Sequence, residues 1–385
     1  MSERRLLLLL LIGLVVTLPF ASLRLSLGEE DSWTTKAAMP TPRSGFGVAV
    51  VNGKIYAIGG RNSVSDLHVT EEYDPKTNTW NNKTRMPTAR FNFAIFVFQN
   101  KIHVIGGQFS GEFTRAHEVY DPATDTWETL TPVANKLRAL CDFDANVVNG
   151  KAYIISGAGS IWPPYPSDDS NQAYDPLTEA WTDKSPIPSG VIGYASAAYN
   201  EKIFIFGGRD MGKDTTYKLT QIYDVGTDSW SSGAPVPTGL SGAGGAITSG
   251  VNAPKRMYVM GGFTCLNRGG FTPSEHHNLN QVYDPEKDEW STGAHMPTNR
   301  SGLGLAVVDD VLYAIGGFDG THYLNVNEQY TPLGYTTPQP TPSPEPTPKP
   351  EPFPTTLLIV SAFAVVAVVG LGLLVYFKRR NRTLK

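Results

Sequence analysis

Six short segments of one pattern punctuate the chain: "KIYAIGG" at residues 54–60, then "KIHVIGG", "KAYIISG", "KIFIFGG", "RMYVMGG" and "VLYAIGG", ending at Gly107, Gly157, Gly208, Gly262 and Gly317. A unit written six times cannot bury its apolar face alone, so each copy must pack against its neighbours. Each unit reads as a strand of small residues (A), a tight turn, the repeated strand (B), a variable loop, a strand ending in Tyr (C) and a short strand carrying Trp (D). Asn52-Gly53 and Asn149-Gly150 supply the two left-handed positions that a two-residue hairpin needs. The tyrosines at 73, 120, 174, 223, 283 and 330 are 47 to 60 residues apart, which is the period of a propeller blade rather than of a helical solenoid.

The expected fold is therefore all-β, a six-bladed propeller over residues 31–332. Repeat-position tryptophans stand at 33, 80, 127, 181, 230 and 290. Trp33 precedes the first unit and none follows Tyr330, so residues 31–40 are expected to give the last blade its outer strand. With its Gly-Gly pairs, Tyr-Asp and spaced Trp, the segment resembles the kelch repeat family. Ser156-Gly157 and Asp224-Val225 depart from the pattern without threatening the fold. The resemblance implies that the glycines, Tyr and Trp serve blade geometry and inter-blade packing.

Arg43, Arg90, Arg138 and Arg300 open strand A, while Glu71, Glu118, Gln172, Gln221, Gln281 and Glu328 stand two residues before each Tyr. Units four and five lack Arg and carry Gln. That paired loss predicts contacts of Arg43 with Glu71, Arg90 with Glu118 and Arg300 with Glu328, because a charge buried alone is costly. The resemblance offers a second reading, since in some family members rim arginines bind acidic ligands.

Both ends read as membrane signals. Residues 1–27 begin with Arg4 and Arg5 and continue into an apolar run, the pattern of a secretory signal peptide. Residues 357–377 are 21 uncharged, apolar positions followed by the basic tail 378–385, as a transmembrane helix with a cytoplasmic C-terminus requires. Residues 333–356 alternate Pro with polar residues, a stalk able to span roughly 60 Å as polyproline II. Asn82 and Asn299 head N-glycosylation sequons. The propeller is thus expected outside the cell on a single-pass anchor.

The net charge of −4 with five positive charges in the tail leaves about −9 on the rest, which argues against nucleic acid as partner. Cys141 and Cys265 are too few for a disulfide scaffold and lack metal spacing. No cofactor or metal is expected.

Loops on a rigid scaffold are where binding concentrates. From the second glycine of strand B to the Tyr, units three, four and five run 17, 15 and 21 residues, against 13 in the others. Unit three contributes Trp162, the one Trp outside the repeat positions, with Tyr165, Asp168 and Asp169. Unit five contributes Arg268, Phe271, Glu275, His276 and His277. Asp142 and Asp144 fall where unit one has Gly45 and Gly47, on the strand nearest the channel. Carboxylates at i and i+2 point the same way and need hydration, a partner, a cation or a ligand.

These residues are the candidate ligand contacts of an extracellular module that recognises a protein or glycan. The resemblance also implies a carbohydrate-active alternative of the sialic acid mutarotase kind, for which Arg268, Glu275, His276 and His277 would supply acid and base. A structural cell-surface role stays open as a third reading.

Overall fold

The computed structural model describes residues 30–133, 141–158, 167–210, 215–265, 275–337 and 355–380, divided between a compact unit, Met1–Thr337, and a second, Pro338–Lys385. Residues 1–27, expected as a signal peptide, and residues 338–354 of the expected stalk lie outside the described residues.

Six antiparallel meanders build the larger unit. Blade 1 is Gly47–Val51, Lys54–Ile58, Thr70–Asp74 and Thr79–Lys83; blade 2 is Ala94–Phe98, Lys101–Ile105, His117–Asp121 and Thr126–Thr129. Blade 3 is Ala145–Val148, Lys151–Ala158, Ser167–Asp175 and Ala180–Asp183, and blade 4 is Ala195–Tyr199, Lys202–Phe206, Thr220–Asp224 and Ser229–Ser232. Blade 5 is Ser241–Ile247, Met257–Thr264, Asn280–Asp284 and Glu289–Thr292, with Glu275–His276 added beside strand B. Blade 6 takes strands A to C from Gly304–Val308, Val311–Phe318 and Tyr323–Thr331, and strand D from Ser32–Thr35, paired Trp33 to Tyr330. The N-terminal strand therefore closes the ring.

In blade 1 strand A alternates buried and half-buried residues, while strand B is buried almost throughout. The reason is position: strand B lies between two neighbouring blades, so both of its faces meet protein. Apolar clusters accordingly span the seams, such as Tyr313 and Ile315 of blade 6 with Ile55 and Tyr73 of blade 1. Gly59 shows why strand B ends in glycine. Its φ is +61°, and a Cβ there would lie 2.7 Å from the Arg90 carbonyl oxygen of the next blade. Ser156 takes a φ of 56° in the corresponding place and its hydroxyl bonds the Asp168 and Val191 carbonyls at 2.6 and 2.7 Å.

A latch recurs at the seams. The residue two before Trp sits in the left-handed region at Asn78, Asp125, Asp228, Asp288 and Asp31. In blade 2, Asp125 Oδ1 accepts from the Tyr120 hydroxyl at 2.6 Å and from the Thr84 N–H at 2.9 Å, and Trp127 Nε1 donates to the Thr84 carbonyl at 2.9 Å. Blades 1, 4, 5 and 6 repeat this arrangement. Each latch holds strands C and D to the segment that leaves the preceding blade.

The disc has two unlike faces. One carries the A–B and C–D turns, including left-handed Asn52-Gly53, Gln99-Asn100, Asn149-Gly150, Asn200-Glu201 and Asp309-Asp310. Both ends of the propeller chain leave on this face: Gly334 N–H donates to Glu30 Oε2 at 2.9 Å, and Thr336 N–H donates to the Asn252 carbonyl at 2.7 Å. The other face carries the B–C loops and the D–A connections.

The second unit contains one helix, Thr355–Arg380, with Lys378, Arg379 and Arg380 in its last turn. Its side chains are described only from residue 367. Among the described residues no helix is long and apolar enough to cross a membrane, so the span expected at 357–377 rests on sequence alone.

Candidate functional site

The channel mouth on the B–C loop face is framed by a closed ring of backbone hydrogen bonds. Gly45 N–H donates to the Gly302 carbonyl, Gly302 to Gly242, Gly242 to Gly193, Gly193 to Asp142, Asp142 to Asn92 and Asn92 back to Gly45, over 2.6 to 3.1 Å. All six residues have φ between 53° and 66°. Four are glycine, which adopts this conformation freely, and the other two are Asn and Asp, the side chains that best tolerate it. The ring settles the register of strand A in blade 3: Asp142 occupies the Gly45 position.

Behind the ring lies a cavity of about 470 Å³ lined by strand A of all six blades. Its polar groups gather on blades 2 to 4. Asn92 Nδ2 donates to Asp142 Oδ1 at 2.5 Å, and the Cys141 thiol donates to Asp142 Oδ2 at 3.1 Å. Asn146 Nδ2 donates to Ser196 Oγ at 2.7 Å, and Ser196 passes its own proton to Asp144 Oδ2 at 2.6 Å. Leu303, Leu305, Val48 and Gly244 line the facing wall.

Burial raises the pKa of both Asp142 and Asp144, and hydrogen bonds from Cys141 and Ser196 offset part of the rise. The groups that hydrogen-bond the two carboxylates are neutral donors, and Arg209 is the one cation that also favours the charged form of Asp142. Burial, reinforced by Asp142, also raises the Cys141 thiol, so this cysteine is not poised as a nucleophile. No disulfide joins Cys141 and Cys265.

The strand-A arginines sit apart from this cavity. Arg43 lies 2.7 Å from Glu71, Arg90 2.6 Å from Glu118 and Arg300 2.6 Å from Glu328, and none of the three guanidinium groups has exposed surface. Thr41, Thr88 and Thr298 bond the second oxygen of each carboxylate. In blade 4, Gln221 bonds the Ser189 N–H and carbonyl at 2.9 and 3.0 Å, and in blade 5 Gln281 does the same with Thr238 at 2.7 and 3.1 Å. A neutral amide thus replaces the ion pair where Arg is missing. Fully covered groups cannot meet a ligand, which corrects the reading of Arg43, Arg90 and Arg300 as rim contacts; Arg138 lies outside the described residues.

Two arginines that sequence reasoning passed over open B–C loops and reach across to the next blade. Arg61 and Arg209 directly follow Gly-Gly in units one and four. Their guanidinium carbons lie 4.3 Å from the Phe91 ring and 5.3 Å from the Phe263 ring, each on the following blade. The Gly-Gly-Arg triplet was the available signal.

The unit-five residues divide. His276 is wedged between Phe263 and Phe318, with ring centroids at 6.0 and 5.7 Å, and Glu275 is exposed beside it. His277 Nε2 lies 3.0 Å from Thr264 Oγ1, while its backbone bonds Gly262 and Arg300. Burial lowers the pKa of both imidazoles, against an opposing pull from Asp319 on His276 and from Glu275 on His277, and so favours their neutral forms. No group of three or more metal-ligating side chains occurs among the described residues. Trp162, Tyr165, Arg268 and Phe271 lie outside the described residues. Asn82 and Asn299 are exposed.

Comparison with known proteins agrees with the architecture. A family model described as Attractin/LZTR1 beta-propeller matches residues 55–326. Kelch-like protein 15 of Danio rerio is 29% identical over 186 residues, 46% of this chain and 30% of that protein. Kelch-like protein 25 of Xenopus tropicalis is 26% identical over 185 residues, 47% of this chain and 29% of that protein. The chain thus spans less than a third of the length of these relatives. A solved structure titled "Structure of YjhT" superposes with a TM-score of 0.63 at 16% identity, covering 76% of this chain and 95% of that one; at that identity the likeness is one of fold.

Proposed function

Because this chain belongs to the Attractin/LZTR1 β-propeller family of kelch-repeat propellers, we propose that it is a membrane-anchored extracellular module that recognises a protein or glycan through its B–C loop face. Kelch-type propellers are typically protein-binding modules. The observation that carries the reading is the placement of the chain ends. Residues 30 and 334–336 meet on the turn face, so the chain departs toward the expected anchor from the face opposite the channel mouth and the B–C loops. The apolar run 357–377 and its basic flank supply the anchor in this reading, and residues 1–27 the export signal. In this reading Trp162, Tyr165, Arg268 and Phe271 contribute loop contacts, Glu275, His276 and His277 further ones, and Asp142 and Asp144 those within the mouth.

Two measurements on the full chain in cells test this. Impermeant biotin on intact cells should label the propeller and spare the tail; labelling of the tail instead would sink the topology. Trp162→Ala with Phe271→Ala should then abolish cell-surface or glycan-array binding, and unchanged binding would remove the loop assignment. A mutarotation assay on the same protein separates recognition from catalysis, and turnover of a sugar anomer would overturn the binding reading.

A further inference from the structure

Each seam between blades sets a strand-C tyrosine of one blade against an aromatic on strand B of the blade before it. Tyr120 meets Tyr56, Tyr223 meets Tyr153, Tyr283 meets Phe204, Tyr330 meets Tyr258 and Tyr73 meets Tyr313, all with ring centroids 5.8 to 5.9 Å apart. At the seam between blades 2 and 3 the aromatic is replaced by His103, whose Nδ1 lies 3.1 Å from Nε2 of His117. Tyr174 of blade 3 closes on His117 edge-on at 5.3 Å, and Phe96 stacks on His103 at 4.7 Å. The imidazoles are 6% and 2% exposed. Where blade 2 has His117, blades 1 and 3 to 6 have Thr70, Asn171, Thr220, Asn280 and Asn327.

The same seam differs in a second way. Glu179 stands at the latch position, and the Tyr174 hydroxyl is buried without a hydrogen-bond partner among the described residues. The latch found at the other five seams is not made here.

We propose that the seam between blades 2 and 3 is an acid-sensitive catch, opened when the His103–His117 pair takes up protons. Two neutral imidazoles share one N–H···N bond, and a proton on each would set two N–H groups against one another. The charged groups nearest the pair are both cations of blade 2. They are Lys101 near His103 and Arg90 near His117, already matched to Asp121 at 3.5 Å and Glu118 at 2.6 Å. Blade 3 brings the Tyr174 phenol, and no carboxylate among the described residues faces either ring. The stacked Phe96 ring returns only part of the lost hydration of an imidazolium.

Burial lowers His103 to about 4 and His117 to about 3. Below the ordinary imidazole value of about 6.5 the opened seam therefore binds more protons than the closed one. Opening is favoured on the order of 30-fold per imidazole at pH 5. A Tyr or Phe seam carries no such dependence.

Hydrogen exchange of the propeller at pH 7.4 and 5.0, corrected for intrinsic rates, tests this. Protection of residues 101–105, 117–121 and 167–175 should fall at least about tenfold at pH 5.0, while strand B of blades 4 to 6 changes by less than about threefold. His103→Tyr with His117→Asn, the residues blade 3 carries, should remove the difference. Equal pH dependence at all seams, or an unchanged dependence in the double variant, would overturn the proposal. The comparison among seams within the wild-type chain decides the matter even if the variant does not fold.

Discussion

The Tyr330 hydroxyl donates to Asp31 Oδ1 at 2.6 Å across 299 positions of sequence. The same oxygen accepts the Ala294 N–H at 2.6 Å, and Trp33 Nε1 returns a bond to the Ala294 carbonyl. One carboxylate therefore ties the first strand to blades 5 and 6. Asp31→Ala would strand a buried hydroxyl and a backbone N–H at a cost of about 1 to 3 kcal/mol, a fall in Tm of at least about 2 °C. Asp31→Asn should stay near wild type, since Asn78 fills the same role in blade 1. Removing residues 31–40 should open the ring; a truncated propeller that melted like the intact one would refute the closure.

The Arg300–Glu328 pair makes a coupled prediction. Arg300→Leu leaves Glu328 buried without its cation and should cost about 3 to 5 kcal/mol. Adding Glu328→Gln recreates the pattern of blade 5, where buried Leu240 goes with Gln281 and the amide bonds the backbone of Thr238. The double variant should regain most of the loss in denaturant unfolding. Additive losses would mean that the two side chains act independently.

The blade count, the strand order and the closing strand were legible because they depend on local pattern: the Gly60 strand end recurs in every unit, Trp80 follows Tyr73 at an offset that later units repeat, and Trp33 is the Trp that blade 6 lacks. The Arg43–Glu71 contact was legible through covariation among the chain's own repeats. The latch was written as Asn or Asp two residues before five of the repeat-position Trp residues, yet its meaning depends on a Tyr hydroxyl and an N–H from the preceding blade. The ring at the channel mouth was hidden for a similar reason. Asn92 and Asp142 replace glycine at a position defined by a bond to the next blade, and two extra residues in unit three blur the count. The second reading of Arg43 as a rim contact could not be decided from the repeat, which reveals position along a blade but not how closely the adjoining blade covers it.

Acid should unfold the propeller in two stages. Asp310 is 2% exposed. Desolvation opposes its ionisation, but bonds from the Ser249, Asn252 and Ala253 N–H groups and the Ser249 hydroxyl outweigh it and lower its pKa. A depressed carboxylate contributes stability above its unfolded value of about 3.9 and loses it as pH falls through the folded value. The histidine pair acts earlier, from about pH 6.5 downward. Asp310→Ala should therefore lower stability at pH 7 and flatten only the limb below about pH 4 in a plot of unfolding free energy against pH. A change confined to pH 5–6.5 would assign the acid limb elsewhere.

At the mouth, Asn92 and Asp142 hold φ of 53° and 55° where the other four blades have glycine. If the two side chains served the fold alone, an all-glycine ring would be the better solution, because glycine reaches this conformation without the Cβ cost. The six bonds of the ring are made by the backbone, so Asn92→Gly with Asp142→Gly leaves them in place and removes two side-chain bonds, Asn92 to Asp142 at 2.5 Å and the weak Cys141 thiol bond to Asp142 at 3.1 Å. The double variant should melt within about 3 °C of wild type, the relief of backbone strain roughly cancelling the lost bonds. Ligand binding through the mouth should fall by at least tenfold, since a carboxylate and an amide at its entrance are lost. A variant that unfolds would make the pair structural, and one that both folds and binds normally would remove Asp142 from the recognition site.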